Sequence, residues 1–245
     1  MTLGGAELTQ AEFLAAAPEG VEVIPVHPGD RPGDVDVTCD RYVIHNCLSY
    51  GIEDLEMIEA AGVPMFKYWH DVGPHVKPEV RYWLDHNTTS ICCSPLQADV
   101  MGYDDVAHIP PAIDLNRFAS AAADADPERK GAVSVASWAN PGKAPHQVAE
   151  WGAQNGGVDF FGGGVCAPQG SREVAQATLP LLLANYKTFV FLPTAIEPFG
   201  RVVIEAWAAG CEVVTNGNVG ARYWIEENPE GLETAAADFW KAVLA

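Results

Sequence analysis

Two glutamates, Glu197 and Glu205, lie eight positions apart in AIEPFGRVVIEAWAAGCEVV, with the pair Phe199-Gly200 between them. The strand-like TFVFLP before them ends at Pro193, and the apolar spacing after Pro198 predicts a helix that starts near Phe199 or Gly200. A helix starting there leaves the backbone N–H groups of Phe199, Gly200 and Arg201 able to bind oxygens that carry charge or lone pairs. Glycine at position 200 lets a ligand come close to the backbone. Glu205 falls one to two turns into the helix and Glu197 in the loop before it, so two acceptors flank a group of donors. That arrangement suits a ligand with hydroxyls at two places and a charged centre between, which is the shape of a sugar nucleotide. The simpler reading is a surface ion pair between Arg201 and Glu205, four apart on one helix face, with Glu197 an ordinary loop carboxylate. The two glutamates alone leave both readings open.

Short apolar runs alternating with amphipathic helices must position these residues. Along the chain come the helix-like TQAEFLAAA, the strand-like VEVIPV and RYVIHNC, the helix IEDLEMIEAA, the strand PMFKYW and a helix around KPEVRYWLD. SICCS, the short helix PLQADVMGY and DVAHIPPAIDLNRF close the first half. The alternation restarts near Gly131: AVSVASW, HQVAEWGAQ, VDFFGG, one or two helices in REVAQATLPLLLANY, then TFVFLP, FGRVVIEAWAAG and CEVVTNG. Such alternation predicts parallel sheets covered by helices, hence an α/β protein of two Rossmann-like halves with the ligand beside the C-terminal strand ends, in a cleft between the halves. The expected limits are 1–118 for the first domain, 119–130 for a polar linker, 131–228 for the second domain and 229–245 for an amphipathic C-terminal helix that packs on the first.

Composition counts against several partners. Lys and Arg total 14 against 33 Asp and Glu, a formal charge of −19 over 245 residues, so the average surface repels nucleic-acid backbones and anionic lipids. The six cysteines show no C-x-x-C pair and no Cys/His spacing suited to zinc, so buried reduced thiols are expected. The start MTLGGAELTQAEF has no basic segment followed by an apolar run, and no stretch reaches the roughly 18 apolar residues of a membrane span, from which a cytoplasmic location is expected. FFGGGVCA raises the possibility of a dinucleotide-binding loop, but the spacing G-x-G-x-x-G is not met.

E-P-F-G followed by E-A-x-A-x-G resembles the E-x7-E motif of retaining glycosyltransferases of family 4, which have the GT-B fold. Further segments match that family in order. GGAE at 4–7 resembles its N-terminal glycine loop, MFKYWHDV its strand ending in His-Asp, SPLQADVMGY with HIPPAIDLNRF the end of its first domain, and NPGKAPHQVAEW its phosphate-binding lysine ahead of a helix. The resemblance spans roughly residues 4–226. It implies that Glu205 binds the ribose hydroxyls of a nucleoside-diphosphate sugar, that Glu197 contacts the donor sugar with help from the backbone of Phe199 and Gly200, and that Lys143 neutralises the diphosphate. It places His70 against the donor sugar and Gly5 in the donor-binding glycine loop, and His45 closes a neighbouring strand. The catalytic candidates are therefore His70, Glu197 and Lys143, and the donor-binding ones Gly5, Lys143, Glu197, Phe199, Gly200, Arg201 and Glu205. No cofactor and no metal are expected, since helix N–H groups and Lys143 serve the diphosphate instead. The implied reaction retains the anomeric configuration, and Glu197 is a donor-sugar binder without being assigned as a nucleophile.

Two features depart from that pattern. Trp138 stands where the family carries an arginine before the phosphate lysine, and Arg201 can supply the lost charge only if it does not pair with Glu205. Met1 lies three residues before Gly4, so the first sheet is expected to begin one strand short, giving an unusually short family member with a reduced N-terminal domain. Such a sheet can be completed by another subunit, as a homo-oligomer. The acceptor is open among small molecules, glycans, proteins and modified nucleic acids. The alternative to an enzyme is a non-catalytic sugar-nucleotide-binding or scaffold protein derived from one.

Overall fold

The computed structural model describes residues 5–26, 39–45, 51–72 and 76–245. The described residues divide into two compact units, one of residues between 5 and 112 together with Thr234–Ala245, the other of Ile113–Glu233.

In the first unit, strands β1 (Tyr42–Ile44), β2 (Met65–Trp69), β3 (Thr89–Cys92) and β4 (Ala107–His108) form a parallel sheet in that order. The helices between them are α2 (Ile52–Glu59), α3 (Pro78–Asn87) and α4 (Pro95–Met101), preceded by α1 (Gly5–Ala15). Strand β2 is buried on both faces, as expected of a central parallel strand. On one face Trp69 packs in a core with Leu55 and Ile58 of α2 and Val80, Trp83 and Leu84 of α3. On the other, Tyr68 meets Phe13 of α1 edge-on at 5.3 Å. Helix α10 (Glu230–Leu244) completes that face: Phe239 stacks on Phe13 at 4.0 Å between centroids, and the Trp240 indole N–H donates to the Phe13 carbonyl at 2.9 Å.

The second unit holds β5 (Lys130–Val135), β6 (Val158–Phe161), β7 (Tyr186–Phe191) and β8 (Glu212–Thr215) in a parallel sheet of order β6-β5-β7-β8. Its helices are α5 (Leu115–Ala123), α6 (Pro145–Gln154), α7 (Leu179–Ala184), α8 (Arg201–Ala208) and α9 (Ala221–Glu226). Val133, Phe189, Val190, Val203 and Ile204 are fully buried there.

Two sequence expectations change. VEVIPV is not a strand: Val21–Val26 is irregular, with Val23 and Ile24 exposed, and Pro25 has no N–H to give a ladder. The segment read as a linker is helical through Ala123, because Asp114 caps α5 by accepting from the Arg117 N–H and Phe118 is buried. REVAQATLPLLLANY, expected to hold one or two helices, holds one short one, α7, and residues 172–178 form a loop before it. Gly4, Cys47 and the expected absence of a first strand fall on residues outside those described.

Candidate functional site

Because β5, β7 and β8 are parallel neighbours, their following loops emerge at one edge of the sheet. Those loops are stitched together by backbone bonds. The amides of Thr194 and Ala195 donate to the Gly142 carbonyl at 2.9 and 3.2 Å, and Glu197 N–H donates to Asn218 O at 2.8 Å. Gly220 N–H returns a bond to the Glu197 carbonyl at 2.9 Å, and Ala221 N–H donates to Phe199 O at 2.6 Å. The side-chain amides of Asn216 and Asn218 both donate to the Pro193 carbonyl at 2.9 Å. A Cβ on Gly142 would sit 2.6 Å from that of Ala195, so glycine is what lets the first two loops touch.

This lattice sets Lys143 against Glu197: their ammonium and carboxylate form an ion pair, each side chain about a quarter exposed or less. Lys143 Nζ also lies 5.5 Å from the centre of the Phe191 ring. Helix α8 starts at Arg201, one residue later than the sequence suggests, because Gly200 caps it in the left-handed conformation at φ 81°. A side chain at 200 would be strained by that φ and would meet Val219 Cγ1 at 3.2 Å. Phe199 is buried. The α8 N-terminus lies at the same edge as Lys143 and Glu197, and in its first turn the Val203 N–H donates back to the Gly200 carbonyl at 2.8 Å.

Inside α8, Arg201 Nε donates to Glu205 Oε1 at 2.9 Å, and the two side chains are 10% and 3% exposed. The pair is thus an enclosed one, not the surface pair that spacing alone suggests. Burial raises the Glu205 pKa above the ordinary carboxylate range, while Arg201, a hydrogen bond from Gln176 and the charge of Arg117 pull it back. Arg117 also donates to the Gln176 carbonyl at 2.6 Å. Sequence reasoning missed Gln176 and Arg117, since they reach Glu205 from α5 and an irregular loop with no periodicity to mark them.

Trp138 is a core residue: it is fully buried, and its indole N–H donates to the Phe161 carbonyl at 2.9 Å. The neighbouring glycines of FFGGGV are set by close backbone packing. Gly162 has φ 104° and any Cβ there would lie 1.9 Å from the Ala136 carbonyl oxygen, so the loops after β5 and β6 pack backbone to backbone.

In the first unit, Gly5 is the exposed first residue of α1. His70 follows the end of β2 and its Nε2 lies 3.1 Å from Nδ1 of His45, which follows the end of β1. Beneath them Lys67, on β2, is buried and donates to the carbonyls of His45 at 2.9 Å and Tyr68 at 2.8 Å, with its ammonium 4.6 Å from the Trp69 ring centre. Burial first, then the Lys67 charge, lowers the His45 pKa to about 3. His70 is lowered well below 6.5, by burial first and then by His45 and Lys67. Sequence patterning expects an apolar residue at a buried position of a central strand, so Lys67 was not legible there.

No family model and no curated protein matches the chain. Solved structures do. AviGT4, a glycosyltransferase involved in avilamycin A biosynthesis, superimposes with a TM-score of 0.65 at 18% identity, over 99% of this chain and 81% of that one. WaaG, a glycosyltransferase involved in lipopolysaccharide biosynthesis, gives 0.56 at 13% identity, over 100% and 88%. The fold is GT-B. Anabaena HepE in complex with UDP-glucose shares it, with a TM-score of 0.60 at 16% identity over 83% of this chain and 70% of that one. Within this GT-B fold, Lys143, Phe199, Gly200, Arg201, Glu197 and Glu205 share one sheet edge and one helix, and Gly5 and His70 belong to the other unit. Among the described residues no helix is long and apolar enough to cross a membrane, and no group of His, Cys, Asp and Glu is placed to hold a metal ion.

Proposed function

We propose that this chain transfers a sugar from a nucleoside-diphosphate sugar to an acceptor, with retention of configuration, as a family 4-like glycosyltransferase. The observation that carries the reading is the convergence of Lys143, Glu197 and the start of α8 at one edge of a GT-B sheet. A diphosphate set at that edge would draw the Lys143 ammonium from Glu197, and the positive end of the α8 dipole would favour its charge. As the glycosidic bond breaks, negative charge grows on the leaving phosphate, and an ammonium held there lowers the barrier without a divalent ion. Glu197, released from Lys143, is then an acceptor for donor-sugar hydroxyls. Glu205 is assigned to the ribose hydroxyls, which must displace one of its present partners to reach it. The role of Arg201 at the phosphate competes with its bond to Glu205. His70 and Gly5 are assigned to the donor by the resemblance alone.

A second reading, a binding protein without turnover, is favoured by the enclosure of Glu205 by Arg201. Thermal-shift titration with UDP, GDP, ADP and dTDP, without metal, tests the donor reading in the wild type, Glu205→Ala and Lys143→Ala. A ligand that binds only the folded state raises Tm with ln(1 + [L]/Kd). A shift with one nucleotide that both variants lose supports the donor site; no shift with any of the four refutes it. Hydrolysis of UDP-glucose without acceptor, a probe chosen because HepE is seen with that molecule, separates enzyme from binder.

A further inference from the structure

His45 and His70 each occupy the first position beyond neighbouring parallel strands, and one polar contact joins the rings, Nδ1 of His45 to Nε2 of His70 at 3.1 Å. A neutral imidazole has one N–H and one bare nitrogen, so a single proton lies in that contact and its owner fixes both tautomers. Two arrangements satisfy the distance. If His45 donates from Nδ1, both rings adopt the Nδ1–H tautomer, which neutral histidine disfavours. If His70 donates from Nε2, both keep the intrinsically preferred Nε2–H form. Aromatic rings hold the pair in register: His45 lies 5.4 Å from Tyr68, 5.8 Å from Phe239 and 6.1 Å from Phe13, and His70 lies 5.0 Å from Tyr68.

We propose that His45 is a positioning residue of the transfer site, accepting the His70 Nε2–H at its own Nδ1 and so leaving His70 Nδ1 as a bare acceptor for a substrate hydroxyl. This rests on the reading that His70 meets the donor sugar. In that state His70 orients a hydroxyl by accepting its hydrogen, and it has no proton at Nδ1 to give to a leaving group. Substrate preference follows: a sugar whose hydroxyl opposite Nδ1 is missing or methylated loses the bond.

The test is a long-range 15N–1H correlation spectrum of the full chain labelled at histidine nitrogens, with His70 assigned by its loss in His70→Gln. The expected result is a pyridine-type Nδ1 and a pyrrole-type Nε2 on His70. His45→Leu removes the acceptor and should convert His70 to a mixture of tautomers. His45→Asn, whose Oδ1 falls near the lost Nδ1, should restore the single form. With UDP-glucose as probe, His45→Leu should lose kcat by about tenfold at little change in KM, and His45→Asn should recover part of it. A proton on Nδ1 of His70 in the wild type, or a tautomer unchanged in His45→Leu, overturns the proposal. Absence of UDP-glucose turnover in the wild type counts against the donor reading only, because the spectrum decides the tautomer without substrate.

Discussion

Acid should loosen the first unit through its histidine pair. With its pKa lowered from 6.5 to about 3 in the folded chain, His45 binds fewer protons folded than unfolded at any pH between those values. Stability is therefore fully present above 6.5, falls as pH drops below it, and stops falling near 3. At pH 5.0 the unfolded ring is almost wholly protonated and the folded ring almost wholly neutral, a difference of about 2 kcal/mol for His45, which the partial exposure of the ring brings to about 1–2 kcal/mol. At pH 7.5 the same contribution is close to zero. His70, lowered in the same direction, adds to the effect. The perturbation is His45→Asn, whose amide does not titrate. Hydrogen exchange of the β1 to β3 amides, corrected for intrinsic exchange at pH 7.5 and 5.0, reads the stability of this unit in both proteins. The variant starts out less stable at pH 7.5 but loses less on acidification, so the gap narrows by about 1–2 kcal/mol. Groups that titrate elsewhere cancel in the comparison. Equal losses in wild type and variant would refute the claim that the folded pair is held neutral.

Gly162→Ala should fail to give a native second unit, because its Cβ would lie 1.9 Å from backbone oxygen at a φ of 104°; near-ultraviolet circular dichroism reports it. Phe239→Ala should cost about 3–5 kcal/mol, seen as a lower urea midpoint for the first unit, since the ring is buried against Phe13. Lys143→Ala should lower UDP-glucose turnover by about 10²–10³-fold, and Lys143→Arg by less, while excess chelator leaves the wild-type rate unchanged.

The strand-loop-helix from Tyr186 to Ala208 was legible in the sequence because its determinants are local: an apolar run, a proline, a glycine and a periodic face. So was the ambiguity of Arg201, which spacing placed within reach of Glu205 and which the structure turns to it at 2.9 Å. How deeply that pair is enclosed was not legible, as it depends on the loop carrying Gln176 and on Arg117 of α5, distant in sequence. Val21–Val26 failed as a strand for the converse reason: its local pattern is strand-like, but a strand exists only where a partner takes its hydrogen bonds. Trp138 read as a lost charge in a motif, yet its place is set by a carbonyl at the end of β6. Lys67 broke the apolar pattern outright, and the carbonyls it bonds at two adjacent strand ends show how an ammonium is tolerated there.

Helix α10 gives the chain an order of assembly. The described residues of the second unit, 113–233, leave the ribosome as one continuous stretch, whereas the first unit, begun earlier, lacks Phe239 and Trp240 until translation reaches them. Domains that form during synthesis ordinarily mature from the N-terminus onward. Here the part made first must finish last, holding the Phe13 and Tyr68 face open through the synthesis of a whole second unit. A nascent chain stalled before residue 234 should therefore carry a protease-resistant second unit and a first unit that chaperones still recognise.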